Sequence, residues 1–157
     1  MENLTRIASF SVNHDYITEG IYVSRIDGDI TTYDMRTRIP NNASDDYMSN
    51  LTMHTFEHLF ATYVRNSEIG SRVIYFGPMG CQTGFYLLVR NADNNETLDV
   101  VKATLEKIIN HEGAVPGATR VECGNYKNLE LESAKTEARR YLAALNNRKN
   151  DFKYPEA

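Results

Sequence analysis

Two histidines stand four residues apart in the segment His54-Thr55-Phe56-Glu57-His58, with an acid between them. On a helix each residue advances by about 100°, so positions 54 and 58 lie about 40° apart on one face, one turn apart along the axis. Two imidazoles at that spacing can reach one metal ion. Glu57 sits beside them, within reach of a bound water or substrate without being needed as a ligand. The same stripe continues through Ala61 to Arg65. A face reading His, Glu, His, Ala, Arg makes a poor core face and a good wall for a site. Its bland alternative is a solvated polar face, and the paired histidines with an acid between them weigh against that.

A catalytic zinc-type centre takes three protein ligands and keeps a fourth position open. The third ligand can come from His14, His111, Cys81, Cys123 or a carboxylate, and spacing alone does not choose Cys123 over Cys81. Cys123-Gly124 lies in a break after Pro116-Gly117, where a thiolate can point inward. Cys81 lies in Gly77-Pro78-Met79-Gly80-Cys81-Gln82-Thr83-Gly84, where glycines on both sides permit tight turns and close approach of a ligand. A thiol at such a turn is placed to react when a nearby cation or metal favours its thiolate. An inert buried thiol is the alternative.

These residues need elements to position them. Gly20 to Ile39 reads as a β-hairpin: Ile21 and Val23 alternate with polar neighbours, Asp27-Gly28-Asp29 supplies the turn, and Tyr33, Met35, Thr37 and Ile39 alternate again. Asp34 and Arg36 share the opposite face of the second strand. The period turns helical from Asn50, a capping residue, to Arg65, with Met53, Phe56, Phe60 and Tyr63 or Val64 as the apolar stripe. Val73 to Phe76 and Phe85 to Val89 read as strands on either side of the Cys81 turn. Helices follow at about Glu96 to Glu112, burying Leu98, Val101, Leu105, Ile108 and Ile109, and at about Leu129 to Asn146, burying Leu131, Ala134, Ala138, Tyr141, Leu142 and Leu145. A short extended piece joins them, and the polar tail from Asn147 to Ala157 is expected to be loose. Hairpin, helix, hairpin, helix, helix predicts an α+β fold: about three main helices on a mostly antiparallel sheet. No repeat or linker interrupts residues 1–157, which reads as a single domain.

The whole chain sets the bounds. Its 157 residues, 41% hydrophobic and 24% charged, suit a globular domain able to bury a core without disulfides. A net charge of −4 and no basic run longer than Arg148-Lys149 argue against a nucleic-acid binder. Met1 to Val12 shows no leader signature, and no apolar run approaches the roughly 20 residues of a membrane helix. A cytoplasmic protein is expected, in which Cys81 and Cys123 are thiols.

Taken together, His54-Thr-Phe-Glu-His58-Leu59, Gly77-Pro78-Met79-Gly80-Cys81-Gln82-Thr83-Gly84-Phe85-Tyr86 and Cys123-Gly124, in that order and spacing, resemble the S-ribosylhomocysteine lyases, the LuxS family that makes the autoinducer-2 precursor. The resemblance extends to Ser9-Phe10-Ser11-Val12-Asn13-His14 and Tyr33-Asp34-Met35-Arg36, and the Pro-Met-Gly-Cys-Gln-Thr-Gly block is its most specific part. It implies metal ligands at His54, His58 and Cys123, holding Fe(II) with zinc or cobalt as substitutes, one ion per subunit. It implies Cys81 and Glu57 as the acid/base pair. It also implies a homodimer with active sites at the interface, closed by Ser9, His14 and Arg36 from the partner, with Arg65 helping to hold the homocysteine end. Quorum sensing and the methyl cycle are the processes such a product and co-product would serve.

The chain departs from the family pattern at Tyr75 and Gly77, which replace an acid and a serine, at Asn13, which replaces an aspartate, and at Thr37, which replaces an aromatic. None of these is a ligand or proton-transfer group, so the reaction is expected to persist. The competing readings are a His-x-x-Glu-His metallopeptidase, which gives Cys81 no role, and an inactive or structural domain whose metal is closed by a fourth protein ligand.

Overall fold

The computed structural model describes residues 3–156; Met1 and Glu2, within the segment read for a leader signature, and Ala157, in the segment read as a polar tail, lie outside the described residues. The chain runs α1 (Ala8–Ser11), β1 (Gly20–Asp27), β2 (Ile30–Arg36), α2 (Asn50–Arg65), a 3-10 turn (Gly70–Arg72), β3 (Val73–Pro78), β4 (Gly84–Arg90), α3 (Asn94–Ile109) and α4 (Leu131–Asn146). The four strands form one antiparallel sheet in the order β1-β2-β4-β3. Three long helices pack on it, so the fold is α+β as the pattern predicted. No described helix is long and apolar enough to cross a membrane.

The hairpin β1–β2 turns at Gly28, whose φ of +59° is the left-handed conformation glycine adopts without strain. Its second strand is buried on both faces at its end. Tyr33 and Met35 enter the core, while Asp34 and Arg36 on the other face are buried against each other as an ion pair. The core is anchored by stacked phenylalanines. Phe56 lies 4.7 Å from Phe85, Phe60 lies 4.4 Å from Phe76, and Phe76 lies 5.1 Å from Phe85. Stacked aromatics bury large apolar areas and prefer such offset geometry, and here they clamp α2 to β3 and β4. The face of α2 opposite these rings carries the histidines. Val101, Leu105 and Ile108 of α3 and Ala138, Tyr141 and Leu145 of α4 complete the same cluster.

Several details differ from expectation. Ser49, not Asn50, caps α2, its hydroxyl accepting the Thr52 N–H at 3.1 Å. The side chain of Asn50 instead accepts from Asn128 at 2.6 Å. Between α3 and α4 there is no strand among the described residues, only turns, because Gly113 and Gly117 take positive φ and Pro116 cannot continue a ladder. The tail is not loose. Phe152 is buried, pairs with Tyr22 of β1 and accepts the Val23 N–H at 2.8 Å. Two aromatic residues, Phe152 and Tyr154, were hidden among polar ones, and packing rather than composition decides their place. The short helix α1 lacks the length for a readable period.

Candidate metal centre and thiol cleft

Helix α2 presents His54 and His58 side by side, with ring centroids 4.7 Å apart and planes at 88°. Each ring is fixed by a backbone carbonyl. His54 Nδ1 bonds the Asn128 carbonyl at 2.8 Å, and His58 Nδ1 bonds the Pro116 carbonyl at 2.8 Å. A carbonyl can only accept, so each Nδ1 carries the proton and each Nε2 keeps its lone pair for a ligand. Cys123, carried by the turns between α3 and α4, brings Sγ to 3.4 Å from His54 Nε2. One ligand atom from each of His54, His58 and Cys123 lies within 4.8 Å of the others, the one such cluster among the described residues. Two imidazole nitrogens and a sulfur, with no fourth protein ligand in the cluster among the described residues, form a donor set that could hold a divalent metal ion and leave a position open.

The loop is built to hold this arrangement. Gly117 has a φ of +73°, and a Cβ there would stand 3.1 Å from His58 Nδ1. Thr55, buried on α2, accepts the Glu130 N–H at 2.9 Å and so ties the Asn128 turn to the helix. The other thiol and imidazoles lie elsewhere. His111 is occupied by the Tyr63 hydroxyl at 2.7 Å and the Ala114 carbonyl at 2.9 Å. Glu57 opens into a cleft of about 260 Å³ beside the triad, shared with Asn50, Met53, His54, Pro78, Asn125 and Asn128.

Cys81 stands in a second cleft of about 410 Å³, with Ser9, Phe10, His14, Arg36 and Tyr86 among its walls. The positive φ of its turn falls on Gln82, at +65°, not on a glycine. Gln82 is held there by its side-chain amide, which donates to the Met48 carbonyl at 2.8 Å. Cys81 Sγ lies 2.9 Å from Thr83 Oγ1, and Arg36 Nη1 donates to the same hydroxyl at 2.8 Å. Burial alone would lower the Arg36 guanidinium, but the Asp34 carboxylate outweighs it and holds Arg36 above its ordinary value. Burial, then the Asp34 charge, raises the Tyr86 phenol.

Ser9, His14 and Arg36 are thus gathered around Cys81, and Glu57 joins the triad. The two clefts share Pro78 in their walls. Arg65 lines neither; its guanidinium donates to the carbonyls of Val73 and Ile74, both at 3.3 Å. Thr83 and the carbonyls of Asn128 and Pro116 are the supporting groups that motif spacing did not single out, whereas Asp34, the buried anchor of Arg36, was placed on the same strand face as Arg36 by alternation. Thr83 lay inside the most specific block, whereas backbone carbonyls leave no mark in a sequence.

The model of the S-ribosylhomocysteinase (LuxS) family matches residues 7–152. Over 97% of this chain and the whole of the relative, the sequence is 41% identical to an S-ribosylhomocysteine lyase of Borreliella afzelii (strain PKo). A protein of the same name from Finegoldia magna is 43% identical over 98% of this chain and all of its own, and one from Clostridium acetobutylicum is 40% identical over the same shares. With His-x-x-Glu-His, the Cys123 thiol beside it and the Cys81 turn in place within a match of that extent, the chain belongs to the LuxS family.

Proposed function

We propose that the protein is a metal-dependent carbon–sulfur lyase that cleaves S-ribosylhomocysteine to homocysteine and 4,5-dihydroxy-2,3-pentanedione. The single observation carrying this reading is the three-ligand cluster of His54, His58 and Cys123 in a chain of this family. His54, His58 and Cys123 would hold a divalent ion, Fe(II) with zinc or cobalt able to substitute, and when bound it would supply Lewis-acid polarisation of the sugar oxygens.

The substrate joins C5 of ribose to the sulfur of homocysteine. A thioether leaves readily only when a carbonyl stands two carbons from the carbon bearing it. The carbonyl must therefore move from C1 to C2 to C3, and each shift takes a proton from one carbon and returns one to its neighbour. Cys81 as thiolate and Glu57 as carboxylate take up and return those protons. With the carbonyl at C3, loss of the C4 proton expels the homocysteine thiolate, which is protonated on release, and the C4–C5 enol left behind takes a proton at C5 and loses its hydroxyl proton to become the dihydroxy-dione. His14, Ser9 and Arg36 bind and orient the sugar beside Cys81.

Within one chain, Glu57 with the triad and Cys81 with its polar partners open into separate clefts. A homodimer that completes each site from two chains is the reading that accommodates this. It is supported by the exposed apolar side chains Leu4, Ile7, Phe10, Ile74 and Tyr75. Release into the cytoplasm would place the product in autoinducer synthesis and the co-product in the methyl cycle.

The test is thiol release from S-ribosylhomocysteine by protein purified without oxygen, with metal content measured on the same sample. Homocysteine formed in proportion to bound iron is the expected result. No release at full metal occupancy would overturn the assignment and favour a closed structural site.

A further inference from the structure

Behind Cys81 runs a chain of hydrogen bonds that ends in the C-terminal tail. Cys81 Sγ meets Thr83 Oγ1, and Arg36 Nη1 donates to Thr83 Oγ1 at 2.8 Å while lying 4.0 Å from the sulfur. Arg36 then grips Asp34 through Nε at 3.1 Å and Nη2 at 2.6 Å. The oxygen that accepts Nη2, Asp34 Oδ2, also accepts the Tyr154 hydroxyl at 2.7 Å. Asp34, Arg36 and Thr83 are all buried, so the middle of this line is shielded from bulk water, while Cys81 at one end is exposed and Tyr154 at the other is half-buried.

Tyr154 is held at its post from two sides. Its ring stacks on Tyr22 of β1 at 4.9 Å. Two residues earlier, Phe152 pairs with the same strand and takes a φ of +63°. A bulky residue in the left-handed region persists only where its surroundings hold it. Tail, strand and ion pair therefore form one packed unit.

We propose that Tyr154 is a positioning residue for Cys81, acting through the Asp34 carboxylate and the Arg36 guanidinium. The carboxylate has three donors to share, two from Arg36 and one from Tyr154. With the phenol bonded, part of its charge is taken up away from Arg36, and Nη1 stays free to hold Thr83 and face the thiol. Without it, the buried carboxylate draws Arg36 more fully to itself, and the positive field at the sulfur weakens. Burial, followed by the Asp34 charge, keeps the Tyr154 phenol far above its ordinary value, so it remains a donor at every working pH. The other titratable groups lining the cleft are His14 from the N-terminal segment and Tyr86 from β4. They are not part of this line.

The inference rests on Cys81 being the proton-transfer thiol, yet one arm of its test needs no substrate. Tyr154→Phe keeps the ring on Tyr22 and removes only the hydroxyl. In full-length protein, iodoacetamide alkylation of Cys81 at neutral pH, followed peptide by peptide to separate it from Cys123, is expected to slow by about three- to tenfold, a fraction of a charge-assisted hydrogen bond relayed through Asp34 and Arg36. kcat should fall by a similar factor, with KM and Tm little changed. In an Arg36→Gln background the same change should add nothing to the alkylation rate. Lys153→Ala, a neighbouring tail substitution, should match wild type.

An alkylation rate equal to wild type overturns the proposal. So does an undiminished effect in the Arg36→Gln background. Faster alkylation overturns it too, since that is the mark of a tail that has merely come loose. If homocysteine is never released but alkylation behaves as stated, the lyase reading fails and the positioning role stands. If homocysteine is released and alkylation is unmoved, only the positioning role fails.

Discussion

The two halves of the site are built in opposite ways. The triad half hangs on one helix and one irregular loop, and backbone groups orient it: the carbonyls of Asn128 and Pro116 fix the rings of His54 and His58. Its cleft carries a single charged side chain, Glu57. The Cys81 half hangs on strands, and side-chain charges orient it: the buried Asp34–Arg36 pair at 2.6 Å stands behind Thr83 and the thiol. A site held by backbone depends on how the loop can bend. A site held by a buried ion pair depends on charge balance, because removing one partner strands the other.

The sharpest way to break that comparison is to remove one group from each half. His58→Ala should lose the ion, falling from about one metal per chain to a small fraction, since two ligands seldom hold what three do. Cys81→Ala should keep its metal and lose turnover by about 10²–10⁴-fold, the range a proton-transfer group supplies. Metal analysis and thiol release on the same samples separate the two outcomes. If His58→Ala retains its metal, it is no ligand. If Cys81→Ala retains turnover, it moves no proton.

Mixing those two inactive proteins sharpens the picture further. If each site joins the triad half of one chain to the thiol half of its partner, random exchange between dimers restores about a quarter of wild-type activity. No recovery after verified subunit exchange would place both halves of a working site in one chain.

A smaller effect tests the backbone. Gly117→Ala puts a Cβ 3.1 Å from His58 Nδ1 at a φ of +73°. Metal affinity should fall by about 10–100-fold, as for other losses of a group that orients a ligand. Stability should fall by about 1 kcal/mol, because a Cβ disfavours the left-handed region. Metal titration and thermal melting read the two separately, and an unaltered affinity would mean that His58 is oriented by something other than the Pro116 turn.

The smallest effect concerns the cap below that loop. Glu130 accepts the N–H groups of Glu132 and Ser133 at 2.8 and 2.9 Å, opening α4 just after the Asn128 turn. Hydrogen bonds from Ser133 and Glu132 hold its carboxyl below the ordinary value of 4.5. A depressed carboxyl stabilises the fold above its unfolded value and loses that contribution as pH falls through the folded one. Glu130→Gln should therefore lower Tm at neutral pH, and the gap to wild type should close as pH falls through the lowered value of the folded carboxyl. A gap that is constant with pH would show that the charge is irrelevant to the cap.

How far the sequence reveals this molecule follows the same division. Helix α2 was readable from end to end, because the Met53, Phe56, Phe60 and Val64 stripe and the histidine pair share one period. The strands around Cys81 were readable because glycine and proline punctuate them. Unreadable were the carbonyl partners of the histidines, which depend on where an irregular loop comes to rest. Also unreadable was the tail, where Phe152 and Tyr154 sit among polar neighbours and only the exposed edge of β1 gives them a place. Cys123 and Cys81 stood level as third ligand on spacing, and it took the fold to bring one of them to the histidines.

The sheet has two outer strands, and each is obstructed along its rim. On β1 the ladder shifts register between Val23 and Arg25, and Phe152 takes the Val23 N–H. On β3 the register shifts between Val73 and Tyr75, Arg65 takes the carbonyls of Val73 and Ile74, and Pro78 has no N–H to offer. Open strand rims are where chains add to one another without limit and grow into aggregates. With these stretches of each rim already occupied, the sheet disfavours strand-by-strand addition of further chains along them.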